Sequence, residues 1–225
     1  MIPLRDTIPS STVPFVTYLL IAANVSVAFY QTSLGSAAVE PFVYTYGLVP
    51  RLFVTGHGHG LASLVTSMFL HGNWVHLIGN MLYLHIFGDN VEDRLGHARF
   101  LAMYLVTGLI AGIAQIVVDP HSPLPIVGAS GAIAGVTGAY FIFFPRARIV
   151  TLVPIFLFFQ VVQIPAVFFL VFWFAFQLMA GLGSLGAQTA GGVAFWAHIG
   201  GFVGGMAVGP ALAHRARRRA RPTAW

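Results

Sequence analysis

A serine flanked by small residues lies near the start of one of the apolar stretches of this chain. Ser130 belongs to the sequence Gly-Ala-Ser-Gly at residues 128–131, and His198 lies in another apolar stretch nearer the C-terminus. A serine hydroxyl paired with a basic imidazole is the minimal activated nucleophile for acyl transfer. Small and hydroxyl residues also let membrane helices pack closely, so Ser130 by itself is more typical of a helix contact. The two residues therefore predict a nucleophile only if the fold brings them together.

Two more polar side chains, His76 and Asn80, lie inside a further apolar stretch. Burying such groups in hydrocarbon costs free energy, so they indicate a functional site. Residues four apart in a helix share a face, which lets His76 and Asn80 act at one place. Acyl transfer needs hydrogen-bond donors aimed at the oxyanion of its tetrahedral intermediate. We interpret His76 and Asn80 as candidates for this oxyanion hole, together with the backbone N–H of Ser130 at a helix N-terminus.

The composition is that of a membrane protein. The 225 residues are 57% hydrophobic and 8% charged, with a mean hydropathy of +0.83, whereas soluble domains carry about 25% charged residues. The chain has no cysteine, which excludes disulfides and thiolate metal sites. Its net charge of +5 is explained by arginines that orient a membrane protein. We therefore predict that the protein lies in a lipid bilayer and does not bind nucleic acid.

Six apolar stretches approach or exceed the roughly 20 residues needed to cross a bilayer. We predict an all-α fold, a bundle of six transmembrane helices that forms a single domain over residues 1–225 and ends in a basic tail at residues 214–225. The predicted spans are residues 13–30, 61–87, 99–118, 126–144, 165–181 and 193–213. The predicted connections are a structured loop at residues 31–60, a solvated charged turn at residues 88–97 and an interfacial or irregular segment at residues 149–163.

The positions of the arginines predict the orientation. All eleven basic residues are arginine, and six spans place ten of them on one side of the membrane, at positions 5, 94, 99, 146, 148, 215, 217, 218, 219 and 221. Only Arg51 falls on the other side. Because cytoplasmic loops carry the excess of basic residues, both termini are predicted to be cytoplasmic.

This topology places the polar residues at similar depths. The second, fourth and sixth spans run in the same direction, so Ser130, His198, His76 and Asn80 all lie in the outer part of the bilayer. Glycines recur along the fourth and sixth spans, with Gly131 on one and Gly201 and Gly205 on the other. Such small-residue faces let two helices approach closely in lipid. We therefore predict that the fourth and sixth spans are in contact and bring Ser130 to His198.

The sequence indicates a catalytic dyad rather than a triad. Neither aspartate nor glutamate lies in any predicted span, so a third member would have to come from a loop, as Asp119 or Glu40. The motif also differs from the Gly-x-Ser-x-Gly nucleophile elbow, because Ala132 occupies the last position.

Taken together, four motifs resemble the rhomboid family of intramembrane serine proteases. They are Phe-Leu-His-Gly-Asn-Trp-Val-His-Leu-Ile-Gly-Asn at residues 69–80, Gly-Asp-Asn-Val-Glu-Asp-Arg-Leu-Gly at 88–96, Gly-Ala-Ser-Gly at 128–131 and Ala-His-Ile-Gly-Gly-Phe-Val-Gly-Gly at 197–205. The resemblance covers roughly residues 61–209. It departs from some family members in the first loop, where no Trp-Arg pair is found and Arg51 follows Pro50.

The resemblance implies a function for each motif. Ser130 would be the nucleophile and His198 the general base, with His76 and Asn80 in the oxyanion hole and Gly128, Gly131, Gly201 and Gly205 as structural motif residues. The substrate would be a single-span membrane protein that is cut in or near its transmembrane segment. No metal or cofactor is implied, the fifth helix and the loop before the sixth would serve substrate entry, and a bacterial inner membrane is the expected location.

Two other interpretations remain open at this point. One is an inactive family member that binds transmembrane helices without cutting them. The other is a membrane protein that binds a metal or haem through four histidines, His71, His76, His85 and His198, since imidazole is a ligand of several transition metals. In the protease interpretation, His71 has only a structural role within the long loop.

Overall fold

The chain is mostly helical, and a computed structural model describes residues 1–58, 60–155, 158–185 and 193–219, with side chains up to residue 213 in the last helix. Part of the predicted basic tail, residues 220–225, and part of the loop before the last helix, residues 186–192, lie outside the described residues. The helices are α1 (Phe15–Ser33), α2 (Ser36–Tyr46), α3 (Pro50–Thr55), α4 (Leu61–Thr66), α5 (Trp74–Leu95), α6 (His97–Val118), α7 (Ser130–Phe143), α8 (Ala166–Gly183) and α9 (Phe195–Arg219).

Among the described residues, four helices are long and apolar enough to cross a membrane: α1, α6, α8 and residues 195–213 of α9. Helix α7 is apolar but only 14 residues long. Helix α5 has 22 residues, but its last two turns carry charged side chains. The structure therefore supports a polytopic membrane protein, while the predicted count of six spans stays a prediction.

The stretch 61–87 is not the single helix that was predicted. It contains α4, a 3-10 turn at Ser67–Phe69 and an extended segment before α5 begins at Trp74. The side chain of Asn73 ends this break, because its Oδ1 accepts a 2.8 Å hydrogen bond from the backbone N–H of His76. A side-chain acceptor at this position satisfies a donor that the first turn of a helix leaves free. Helix α5 thus begins two residues before His76.

Residues 88–97 are not the solvated turn that was predicted, because α5 continues to Leu95. Glu92 lies in its last turn and is 0% exposed. Its carboxylate accepts hydrogen bonds from the backbone N–H groups of Val16 and Thr17, both at 2.8 Å, and from the hydroxyl of Thr17 at 2.7 Å. A carboxylate at a helix N-terminus satisfies free donors and interacts favourably with the helix dipole. Glu92 therefore caps α1 from another helix.

Replacing Glu92 with alanine is expected to destabilise the protein by about 2 kcal/mol or more, because buried donors at the start of α1 lose their acceptor. The measurement is thermal unfolding of the purified protein in detergent. The matched control is Asp93→Ala, since the neighbouring Asp93 accepts hydrogen bonds from the exposed residues Ser11 and Thr12. Equal changes in the unfolding temperature for both variants would contradict the capping role of Glu92.

The fold is mostly helical, as predicted, and it also contains a small β-sheet that was not predicted. The N-terminal strand β1 (Ile2–Asp6) and the hairpin of β2 (Arg148–Ile155) and β3 (Phe158–Pro165) form an antiparallel sheet in the order β1-β2-β3. Pro154 does not prevent this, because β1 pairs with β2 only as far as Leu152 and leaves the edge beside Pro154 free. Proline is tolerated where a strand has no ladder partner. Residues 149–163 are thus mostly strand.

A half-buried acid ties this sheet to the helices. Asp6, at the end of β1, accepts hydrogen bonds from the hydroxyl of Tyr140 at 2.5 Å and from the side-chain amide of Asn90 at 3.0 Å. Burial raises the pKa of the Asp6 carboxyl to about 6, and the nearby Asp89 adds to this effect. The first residues of the chain are therefore part of the folded domain rather than a free polar lead.

Helix α7 lies at the centre of the molecule, and all ten residues from Gly131 to Tyr140 are buried. It crosses α9 at very short range. A Cβ built on Gly201 would overlap the carbonyl oxygen of Gly131, and one built on Gly205 would overlap that of Gly135. The predicted contact between the spans 126–144 and 193–213 is therefore present, and it is a contact of backbone against backbone.

Candidate active site

Ser130 and His198 are in hydrogen-bond contact. Ser130 is the first residue of α7 and His198 is the fourth residue of α9, so both lie in the first turn of their helices. The hydroxyl oxygen of Ser130 lies 2.7 Å from Nε2 of His198. The crossing of α7 and α9 at their glycines positions the two side chains, which are 68 residues apart in the sequence. A serine nucleophile and a histidine base would require a contact of this length between these two atoms.

His76 and Asn80 lie beside the turn that leads into Ser130. The point of contact is Gly128, whose φ of +125° lies in a region that favours glycine. A Cβ at this residue would lie 2.8 Å from Nε2 of His76 and 3.5 Å from Nδ2 of Asn80. The backbone N–H of Gly128 donates a 2.9 Å hydrogen bond to the carbonyl oxygen of Ser67, which holds the turn in place. The structure thus places all the predicted oxyanion-hole residues around one turn.

The side chain of His71 was expected to have a structural role within the long loop. It is instead hydrogen-bonded to Asn80. The side-chain amide of Asn80 donates to Nε2 of His71 at 2.9 Å. His71 is itself held by Gln31 of α1, whose amide accepts from the backbone N–H of His71 at 3.1 Å and donates to its carbonyl oxygen at 3.3 Å. An amide nitrogen carries two hydrogens. One is directed at His71, and the other stays available for a ligand.

Replacing Gly128 with alanine is expected to lower turnover by about tenfold or more, and also to cost about 1 kcal/mol of stability or more because a φ of +125° is strained for alanine. The new methyl group would lie 2.7 Å from Cε1 of His76 and would displace a predicted oxyanion donor, and each such donor is worth roughly a hundredfold in rate. The measurement is cleavage of a model transmembrane substrate. Gly79→Ala on α5 is the control, because a Cβ there would meet nothing within 4 Å. Equal activities of the two variants would contradict a role for this turn.

The four histidines of the metal hypothesis do not form one site. The rings of His71 and His76 are 5.1 Å apart, but His85 lies nine residues further along α5 and stacks on Tyr18 at 6.3 Å. His198 is bonded to Ser130. In the described part of the chain, no three histidine, aspartate or glutamate residues are grouped so that they could hold a metal ion. The arrangement of the donors therefore does not fit the metal or haem interpretation.

One polar residue at the site, Gln177, was not predicted from the sequence. Gln177 lies on α8, is 6% exposed and has its Oε1 2.8 Å from Nδ1 of His198. Trp173, one turn earlier on α8, lies with its ring 6.0 Å from the same imidazole. The only signal in the sequence was a single glutamine in an otherwise apolar run at residues 164–182. Helix α8 therefore forms the second wall around His198.

Comparison with known proteins identifies the family. The Rhomboid domain matches residues 58–215, which is more than half of the chain. The chain is 42% identical over 103 residues to Rhomboid-like protein 11, chloroplastic, of Arabidopsis thaliana, which covers 46% of this chain and 36% of that protein. It is 37% identical over 127 residues to Rhomboid protease GluP of Bacillus subtilis (strain 168), covering 56% and 24%, and 30% identical over 143 residues to Rhomboid protease AarA of Providencia stuartii, covering 56% and 50%.

The fold and these matches define a polytopic integral membrane protein, and the chain belongs to the rhomboid family. The matched region spans half or less of the length of each of these three relatives. The family resemblance noted in the sequence is therefore confirmed.

Proposed function

We propose that this protein is an intramembrane serine endopeptidase in which Ser130 is the nucleophile and His198 the general base. The observation that carries the proposal is the 2.7 Å contact between the Ser130 hydroxyl and Nε2 of His198, formed by two helices of a membrane protein. The names of the relatives GluP and AarA as rhomboid proteases support it. A serine hydrogen-bonded to an imidazole has no evident packing role in an otherwise apolar bundle of helices.

The proposed reaction has two acyl-transfer steps. In the first, Nε2 of His198 takes the proton from Ser130 as its oxygen attacks the peptide carbonyl carbon. The C–N bond then breaks, the imidazolium gives its proton to the leaving amine, and an ester with Ser130 remains. In the second step, His198 takes a proton from water, whose oxygen attacks the ester. The ester bond breaks, and the proton returns to the Ser130 oxygen as the carboxylic acid leaves.

The oxyanion of each intermediate would be stabilised by three donors around Gly128. As the first residue of α7, Ser130 has a backbone N–H without a partner inside the helix. The second hydrogen of the Asn80 amide and an imidazole N–H of His76 supply the side-chain donors. His71 and Gln31 hold Asn80 in place before substrate arrives, which is what such stabilisation requires because donors must not have to reorient during the reaction.

The proposed substrates are single-span membrane proteins, cut in or near the transmembrane segment. The proposed six-span topology puts the first turns of α7 and α9 near the outer ends of their spans, at the depth where such a segment would meet water. The ten arginines that six spans place together support cytoplasmic termini and a site that faces the exterior, in a bacterial inner membrane. Substrate entry beside α8 is supported by its exposed apolar face, which includes Phe168, Phe172 and Phe176.

The experiment that tests this function is labelling with a fluorophosphonate probe, which reacts only with an activated serine. We expect stoichiometric labelling of the detergent-purified protein at Ser130, identified by peptide mass spectrometry. Labelling at another residue would move the nucleophile elsewhere. A folded protein that is not labelled would favour the inactive, helix-binding interpretation, because both interpretations predict the same fold.

A further inference from the structure

The imidazole of His198 is held at both of its nitrogens. Nε2 contacts the Ser130 hydroxyl at 2.7 Å, and Nδ1 contacts Oε1 of Gln177 at 2.8 Å. Gln177 lies on α8 and is 6% exposed, so water does not compete freely for this bond. The ring is therefore fixed between two helices, α7 and α8, that approach it from opposite sides.

These contacts bear on which nitrogen carries the proton. A neutral imidazole has one N–H and one lone pair, and the partner of each nitrogen decides where the proton lies. The oxygen of a glutamine side chain only accepts hydrogen bonds. With Oε1 facing Nδ1, the proton is held on Nδ1, and the lone pair of Nε2 points at the Ser130 hydroxyl. This is the tautomer in which the imidazole can take the serine proton.

We propose that Gln177 is a positioning residue that fixes His198 in this tautomer and orientation. The proposal rests on the proposed function of His198 as the base. It extends the dyad to a hydrogen-bonded chain of Ser130, His198 and Gln177. Gln177 would not touch the substrate and would act through the imidazole alone.

The chemistry of the site explains why an amide suits this place better than a carboxylate. A carboxylate at residue 177 would be a charge inside an apolar bundle, where the cost of desolvation is large. An amide oxygen accepts the same hydrogen bond without a net charge. The neighbours of Gln177 on α8 include Trp173 and Phe174, whose rings pack on Phe202 of α9, so the setting is apolar.

Two substitutions distinguish a side chain at residue 177 that accepts a hydrogen bond from His198 from one that only fills space. Gln177→Met has a similar shape but no oxygen, and we expect it to lower kcat by about tenfold, the value of one net hydrogen bond, with KM unchanged. Gln177→Glu keeps an acceptor toward Nδ1, and the Nδ1–H that faces it offsets only part of the desolvation cost, so we expect an activity below the wild type but clearly above that of Gln177→Met. The rate of fluorophosphonate labelling should follow the same order, because it reports on Ser130 without a transmembrane substrate.

The control is Gln115→Met. Gln115 also reaches the start of α9, but its Oε1 accepts from the backbone N–H of Ala197 at 3.3 Å rather than from the imidazole. We expect this variant to keep its kcat. Equal losses in Gln177→Met and Gln177→Glu would overturn the proposal, since they would show that the amide donates or only packs. Full activity of Gln177→Met would overturn it as well.

A direct measurement on the wild-type protein needs no variant of Gln177. In wild-type protein labelled with ¹⁵N-histidine, the nitrogen shifts of His198, assigned by their loss in His198→Ala, should show a proton on Nδ1 and none on Nε2. A proton on Nε2 would overturn the proposal even if the enzyme is active. Conversely, a wild type with the expected tautomer but without labelling at Ser130 would refute the protease function and leave the Gln177 contact intact.

Discussion

Replacing Ser130 with alanine is expected to lower cleavage of a model transmembrane substrate by at least about a thousandfold. The substitution removes the attacking oxygen, which lies 2.7 Å from its base, and no hydroxyl of another described residue is bonded to His198. His198→Ala should have a similar effect, because the serine hydroxyl then loses its proton acceptor. The measurement is the rate of substrate cleavage in reconstituted liposomes, with thermal unfolding to show that each variant is folded.

The two residues should also behave as one unit. A double variant that lacks both Ser130 and His198 is expected to be no less active than either single variant, since each loss already removes the nucleophilic pathway. Ser33→Ala and His121→Ala serve as controls, because both side chains are exposed and neither is hydrogen-bonded to Ser130 or His198. Full activity of either single variant, or losses that multiply in the double variant, would refute the proposed dyad.

Replacing Gly205 with alanine is expected to cost both stability and activity. Its Cβ would overlap the backbone of Gly135, where no side chain can rotate away, so α7 and α9 must separate. Overpacking of this kind costs about 1–3 kcal/mol or more. The same separation would pull His198 away from Ser130. We therefore expect a lower unfolding temperature in detergent and a loss of cleavage of about a hundredfold, since a displacement of about 1 Å can cost that much.

The matched control is Gly204→Ala on the same helix. A Cβ there would meet only the side chain of Ile110, at 3.1 Å or more, and that side chain can adjust. This variant should therefore change the unfolding temperature little and keep most of its activity. If Gly204→Ala and Gly205→Ala had the same effect, the backbone contact between α7 and α9 would not be what positions the site.

Much of the site could be inferred from residue types and spacing. The glycines of the 126–144 and 193–213 stretches predicted a close helix contact, because a small-residue face has no other evident use in lipid. Ser130 and His198 followed from chemistry, since an ionisable residue in an apolar run needs a reason to be there. These inferences depend on local sequence patterns, which can be recognised without knowledge of the fold.

The parts that were missed have a common physical cause. Gln177 is a single polar residue in an apolar run, and no periodicity relates it to His198, 21 residues later. Glu92 was assigned to a solvated turn because its neighbours are charged, although a carboxylate can be buried when several donors converge on it. The pairing of β1 with β2 was missed because 142 residues separate the two strands, and pairing at that distance leaves no local signal. The hairpin of β2 and β3 was missed because its segment is apolar almost throughout and lacks the alternation of apolar and polar residues that indicates a strand.

The sequence by itself determined that this chain is a membrane protein with a serine and a histidine, the residue types that acyl transfer could use, in its apolar stretches, because hydropathy and the cost of buried polar groups are properties of the residues alone. Only the tertiary structure decided the partners of those residues: the turn at Gly128 against His76 and Asn80, and the amide of Gln177 on the far side of the imidazole. Hydrogen bonds depend on distances of tenths of an ångström between helices, and such distances are fixed by packing rather than by composition.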